Sequence, residues 1–282
     1  MLKKFITIIS IFTLVGCSTP VVEEVTPENE VIPEDDFEVN DECCDHEYHE
    51  LLLSYVFIDV VNLNSISLPN VIQGELIFWE NNGEIINSLS GNNVTYYVTA
   101  NIGNSKRNFN VTFENNKVKQ IYQQDLVFNY YFINDSRKLG TSMNPTSIVI
   151  HNTANTASAY NEIMYLNSTS NTSSTSYHYA VDDIGIYQGI PNNVYGHHAG
   201  NLAINQKSIG IEIAKSLSTD NIVKDKAIYN AQRLIRLLQM EYNIENIMTH
   251  YDASGKHCPH DIIDRYGLNN FYVELKSMYN KV

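Results

Sequence analysis

The sequence predicts an α/β protein, with a mixed central β-sheet flanked by helices and a small, mostly-β domain in front of it. Three observations carry this. Residues 128–282 alternate short apolar runs with helix-period stripes, the pattern of a sheet covered by helices. Residues 51–127 contain runs of β-branched and aromatic residues broken by Asn/Gly turns. The segment 224–243 is apolar at Ile228, Ala231, Ile235, Leu238 and Tyr242, the three-and-four spacing of one helical face.

The chain opens on "MLKK" and the apolar run "FITIISIFTL", followed by Val15, Gly16 and Cys17. The run is far below the ~20 residues that span a bilayer, so residues 1–16 read as a signal peptide. Leu14-Val15-Gly16-Cys17 resembles a bacterial lipobox. That resemblance implies cleavage before Cys17, a lipid on its sulfur, and a protein anchored to the cell membrane facing the wall.

Residues 17–50 read as an acidic, disordered tether. Positions 18–50 hold thirteen Asp or Glu and no Lys or Arg, which accounts for nearly all of the net charge of −14. With Pro20, Pro27 and Pro33 and few aromatics, the stretch has too little apolar area to fold. Fully extended at ~3.3 Å per residue it would reach roughly 110 Å. Cys43 and Cys44 stand near its end between His46 and His49. The cluster could bind a metal, but its spacing fits no closed zinc motif, so intermolecular disulfides or no role are favoured over that. Residues 51–282 carry 16 basic and 19 acidic residues, so no nucleic-acid partner is expected. A monomer is expected.

Within 51–127, "GELIFWENNGEIINSL", "NNVTYYVTANI" and "NFNVTFENNKVKQIY" read as strands, and "NNG" at 81–83 as a hairpin turn. No chemistry is visible there, and an accessory domain is the reading. Downstream, "TSIVIH" (146–151) reads as a buried strand and "SAYNEIMYLNS" as a helix. "YHYAVDD" and "GIYQGI" read as strands about a turn. In "SIGIEIA" (208–214), Ile209, Ile211 and Ile213 share one face and Glu212 takes the other. "NIMTH" reads as a strand ending at His250. Phe271, Leu275, Met278 and Val282 form the stripe of a last helix.

His151 and His250 thus end two strands, and Cys258 follows eight residues later. Catalytic zinc takes three such ligands plus a water, and strand ends are where ligands converge. A bound metal would also keep a thiol in use in an exported protein, where free thiols tend to oxidise. On spacing alone, ordinary polar residues near strand ends explain the pattern equally well.

Six blocks change that balance: "SIVIHNTAN" (147–155), "SYHYAVDD" (176–183), "QGIP" (188–191), "HAG" (198–200), "SIGIEIA" (208–214) and "THYDASGKHCPH" (249–260). In this order they resemble the zinc-dependent N-acetylmuramoyl-L-alanine amidases of type 2, which share their fold with peptidoglycan recognition proteins. The resemblance covers 128 to about 265 and leaves out everything before it. It implies that His151, His250 and Cys258 bind Zn2+, with Glu212 as general base and Lys256 stabilising the transition state. It places His198 in the substrate groove. Tyr177 falls where another branch keeps a catalytic tyrosine, and His197 stands where many members have tryptophan. His178, His257 and His260 read as structural. The implied substrate is peptidoglycan, cut between N-acetylmuramic acid and L-alanine. Two rivals stand beside this: a peptidoglycan-binding protein without activity, which the presence of Cys258 disfavours, and an enzyme that cuts a peptide cross-bridge or a soluble muropeptide.

Overall fold

The computed structural model describes residues 41–279, apart from 124 and 216–219. The signal peptide 1–16, Cys17 and the acidic residues 18–40 lie outside the described residues, as do the side chains of Cys43, Cys44 and Met278.

The sheet has eleven strands. In chain order they are β1 (Phe78–Asn81), β2 (Glu84–Ile86), β3 (Val94–Ile102), β4 (Ser105–Glu114), β5 (Lys117–Gln123), β6 (Leu126–Tyr130), β7 (Ser147–Asn152), β8 (Tyr179–Val181), β9 (Ile186–Gln188), β10 (Ser208–Ile213) and β11 (Asn246–Thr249). Their spatial order is β11-β7-β10-β8-β9-β6-β5-β4-β3-β1-β2. The pairs β11/β7, β7/β10, β10/β8 and β9/β6 are parallel, and the rest are antiparallel. The expected mixed sheet is present. The β1–β2 turn has Asn82 and Gly83 both at positive φ, the primed hairpin geometry that "NNG" signals.

Two boundaries differ from the sequence reading. The break placed after residue 127 falls inside β6, which pairs with β5 on one edge and β9 on the other. A small antiparallel sheet buries one face poorly by itself, and an open strand edge invites pairing. Joining the two removes both problems and yields one sheet over one core. Trp79, Phe109, Phe113 and Phe128 cluster with Ile209, Ile211, Ile235 and Leu238. The tether also ends earlier than residue 50, because helix α1 spans Asp41–Leu53. Its Leu52 and Leu53 enter that core, and Ser105 of β4 hydrogen-bonds His46. Apolar residues just past the acidic run anchor its last turns.

Further helices complete the fold: α2 (Ala159–Leu166), α3 (Leu202–Asn205), α4 (Asn221–Tyr242), α5 (His250–Ser254) and α6 (Leu268–Tyr279). The carboxylate of Asp220 caps α4, accepting from the Ile222 amide, and Asn243 ends it in the left-handed region. The apolar stripe of α4 covers one face of the sheet through Ile228, Ala231, Ile235 and Leu238, and Phe271 and Leu275 of α6 join it.

The opposite face holds the chemistry. The strand registers run His151 to Glu212, Glu212 to Ala180, Ala180 to Tyr187, and Tyr187 to Asn129. They continue from Asn129 to Gln120, Thr112 and Thr95. One row of side chains therefore crosses eight strands on one face, from the candidate centre into the N-terminal sheet.

Candidate metal centre and active site

The row begins at His151, near the end of β7. His250 is the first residue of α5 rather than the last of a strand. A capping box sets it there: Thr249 Oγ1 accepts from the Asp252 amide, and the Asp252 carboxylate accepts from the Thr249 amide. Gly255 closes α5 at positive φ, and the Tyr251 amide donates to Cys258 O, folding the loop back. Asn152 ties the loop to β7. Its side-chain oxygen accepts from the Ile262 amide, while the Cys258 thiol lies 3.9 Å from its carbonyl oxygen.

The result is convergent. One donor atom each from His151, His250 and Cys258 lies within 4.8 Å of the others, and all three residues are buried. His151 Nδ1 is 3.0 Å from His250 Nδ1 and 3.9 Å from Cys258 Sγ. Two ring nitrogens so close need a proton or a cation between them. The back of the cluster decides which nitrogen of His151 faces it. His198 Nε2 donates to Ser208 O at 3.3 Å, so its Nδ1 must accept from His151 Nε2 at 3.2 Å. His151 Nδ1 is then left as a lone pair aimed at His250 and Cys258. A histidine ligand oriented through its second nitrogen is the usual support of a metal site.

This corrects the placement of His198 in the substrate groove. It is 5% exposed and lies behind His151, against Gly210. An added Cβ at Gly210 would stand 2.6 Å from the His198 ring, so only glycine on β10 leaves room for it. His178 has a comparable structural role: Nδ1 accepts from the Gly210 amide and Nε2 donates to Val194 O.

The electrostatics suit a cation. Burial, then the neighbouring His198 and His250, hold His151 well below the usual imidazole range, so its ring is neutral, the form a metal would need. Burial lowers His250 as well. Burial pushes the Cys258 thiol up to about 11, a shift that a coordinated cation would reverse.

Glu212 sits beside His151 in register, on the same face. Burial, and then the charge of Glu162, raise its carboxyl to about 8, while Lys256 opposes them. Among the described residues its Oε2 is buried without a hydrogen-bond partner. Lys256 is exposed on the loop, and its positive charge reaches Glu212, Cys258, His151 and His250. Tyr177 is buried and donates to Glu162 Oε2 at 3.1 Å. Burial and the charges of Glu162 and Glu212 raise its pKa, so it stays a phenol. His197 is partly exposed beside the Tyr195 ring, and the Nε2 atoms of His257 and His260 lie 3.2 and 3.9 Å from carboxylate oxygens of Asp264 and Asp261.

Glu162 was not anticipated from sequence. Its signal was there: a carboxylate on the buried stripe of α2, between Ala159 and Ile163. Such a position calls for a polar partner.

Comparison with known proteins adds a family likeness. Residues 141–261 match the amidase type 2 family, N-acetylmuramoyl-L-alanine amidase. Among relatives, N-acetylmuramoyl-L-alanine amidase CwlH of Bacillus subtilis (strain 168) is 42% identical over 47% of this chain and 54% of its own. The amidase XlyA of the same organism is 39% identical over 50% of this chain and 48% of its own. The chain thus spans about half the length of the curated relatives it matches. The solved catalytic domain of XlyA is 38% identical, with 52% of this chain and 98% of that one covered and a TM-score of 0.48. The family segment contains all the residues discussed above for the centre, from His151 to Cys258.

Proposed function

We propose that the protein is a zinc-dependent peptidoglycan hydrolase, cutting the amide between the lactyl group of N-acetylmuramic acid and L-alanine. The observation that carries the reading is the triad of donor atoms, with Glu212 next to it in register. His151 Nδ1, His250 Nδ1 and Cys258 Sγ would hold the ion. Zinc in such a site lowers the pKa of a bound water to ~7 and polarises a carbonyl.

The chain's own groups do the rest. Glu212, whose ionised form the charge of Lys256 favours, takes a proton from the attacking water through its uncommitted Oε2. It then returns that proton to the departing amide nitrogen. Lys256, exposed at the mouth with its charge directed into the site, offsets the oxyanion that forms on the carbonyl. Tyr177 is committed to Glu162, so it positions that carboxylate, and Glu212 is the base.

The site is tested by metal content. Purified full-length protein should hold one zinc per chain by elemental analysis, and Cys258→Ser should lose most of it. Unchanged zinc in that variant would sink the ligand assignment. The lipobox reading adds a location: Cys17 anchors the enzyme to the membrane, and the acidic segment gives it reach into nearby wall.

A further inference from the structure

The N-terminal strands share a face with the candidate centre, and its chemistry is unusual for a solvent-facing sheet. Tyr97 is 69% exposed and Tyr122 40% exposed. They flank Asn110 in one register row across β3, β4 and β5. The pairs Thr95–Thr112 and Thr99–Asn108 border that row, and each is hydrogen-bonded across strands at 3.0 and 2.9 Å. Across β3, β4 and β5 these rows carry no charged side chain, while Glu80 of β1 extends the Thr99 row and the Tyr122 hydroxyl donates to Asp125 at 2.9 Å. Asparagine is depleted in strands, so Asn108 and Asn110 weaken the sheet locally and gain nothing from burial. The buried face of the same strands is sealed by α1 and the common core, whereas no described element covers the exposed face.

We propose that this face binds the glycan strand of the wall polymer, an uncharged, hydroxyl-rich polysaccharide. Sugar rings present apolar C–H faces that stack on exposed aromatics, and hydroxyl edges that pair with amides and hydroxyls. Tyr97, Tyr122 and Asn110 supply both, on a rigid and pre-ordered support. A nucleic acid would need a basic surface, which these rows lack. Continuity fixes the direction. The register row joins this face to Glu212, and six strand spacings of ~4.8 Å place Tyr97 about 29 Å from the catalytic strand. One long polymer could be held at one end and cut at the other. The proposal rests on the peptidoglycan reading above, and the test separates the two.

The experiment is co-sedimentation of the full chain with chitin, an insoluble, uncharged polymer of N-acetylglucosamine that carries no stem peptide and so offers no bond to cut. Turnover of a soluble disaccharide-peptide is measured in parallel. Tyr97→Ala and Tyr122→Ala should each weaken glycan binding about tenfold and leave soluble turnover unchanged. Asn110→Asp, which removes no packing, should weaken binding in the same direction. Equal binding by the parent and all three variants overturns the proposal, as does a parent that cleaves the soluble substrate but does not sediment. A variant that converts a dimer to a monomer assigns the face to a second copy and also overturns it. Binding by a parent that cleaves nothing supports the glycan face and removes the amidase reading instead.

Discussion

Gly210→Ala tests how the fold sets the metal site. The added Cβ would lie 2.6 Å from His198 Cγ, 2.7 Å from Cδ2 and 2.8 Å from Nδ1, where ordinary contact begins at 3.4 Å. The ring must retreat by about 0.8 Å to relieve the overlap. Its Nδ1 is now 3.2 Å from His151 Nε2 and its Nε2 3.3 Å from Ser208 O. A retreat of that size takes the first bond beyond reach, and His151 loses the acceptor that fixes its tautomer. Loss of such support typically costs 10–100-fold in metal affinity. Overpacking adds about 1–3 kcal/mol of lost stability. Zinc affinity would be read by competition with a chelating dye, and stability by urea unfolding of the metal-free protein. Zinc affinity within about twofold of the parent would refute the argument that His198 orients His151.

Two further outcomes follow from the charges. Burial holds His178 down at about 4, so the unfolded chain binds its proton first. The stability this contributes is complete above pH ~6.5 and is lost as pH falls towards 4, on the order of 3 kcal/mol. Glu212, raised to about 8, acts oppositely as pH rises through 4.5 to 8. The readout is therefore the difference in urea midpoint between parent and His178→Gln, which should narrow on acidification, and a constant difference would contradict it. Separately, Cys17→Ala should release the protein from membranes or block its processing, since two lipid chains anchor stably where one does not. Unchanged membrane fractionation would remove the lipobox reading.

The half of the sheet that holds the candidate centre was legible because its strands are short apolar runs with His151 and Glu212 next to their last residues, and period-2 alternation puts Glu212 opposite Ile211. The long helix was legible from its stripe. The joined sheet was not, because β6 reads as the end of one segment or the start of another, and pairing partners leave no local mark. His198 shows the limit at the site itself. Its motif gave the residue, but its direction depends on the missing side chain at Gly210, twelve residues on (about 40 Å of extended chain at ~3.3 Å per residue), which the fold brings into direct contact. Glu162 was hidden for a related reason, since burial of a helix carboxylate depends on what packs over it.

The most direct test of the central claim is the chemistry of the cut. Purified cell wall is digested with the full-length protein and with Glu212→Gln, and the products are identified by mass spectrometry. The parent should release stem peptides with a free L-alanine amino terminus and leave glycan with an unsubstituted lactyl carboxylate. Glu212→Gln should retain zinc and slow that release by about 10²–10⁴. Cleavage at a peptide or glycosidic bond, or parent-like release by Glu212→Gln, would contradict the account.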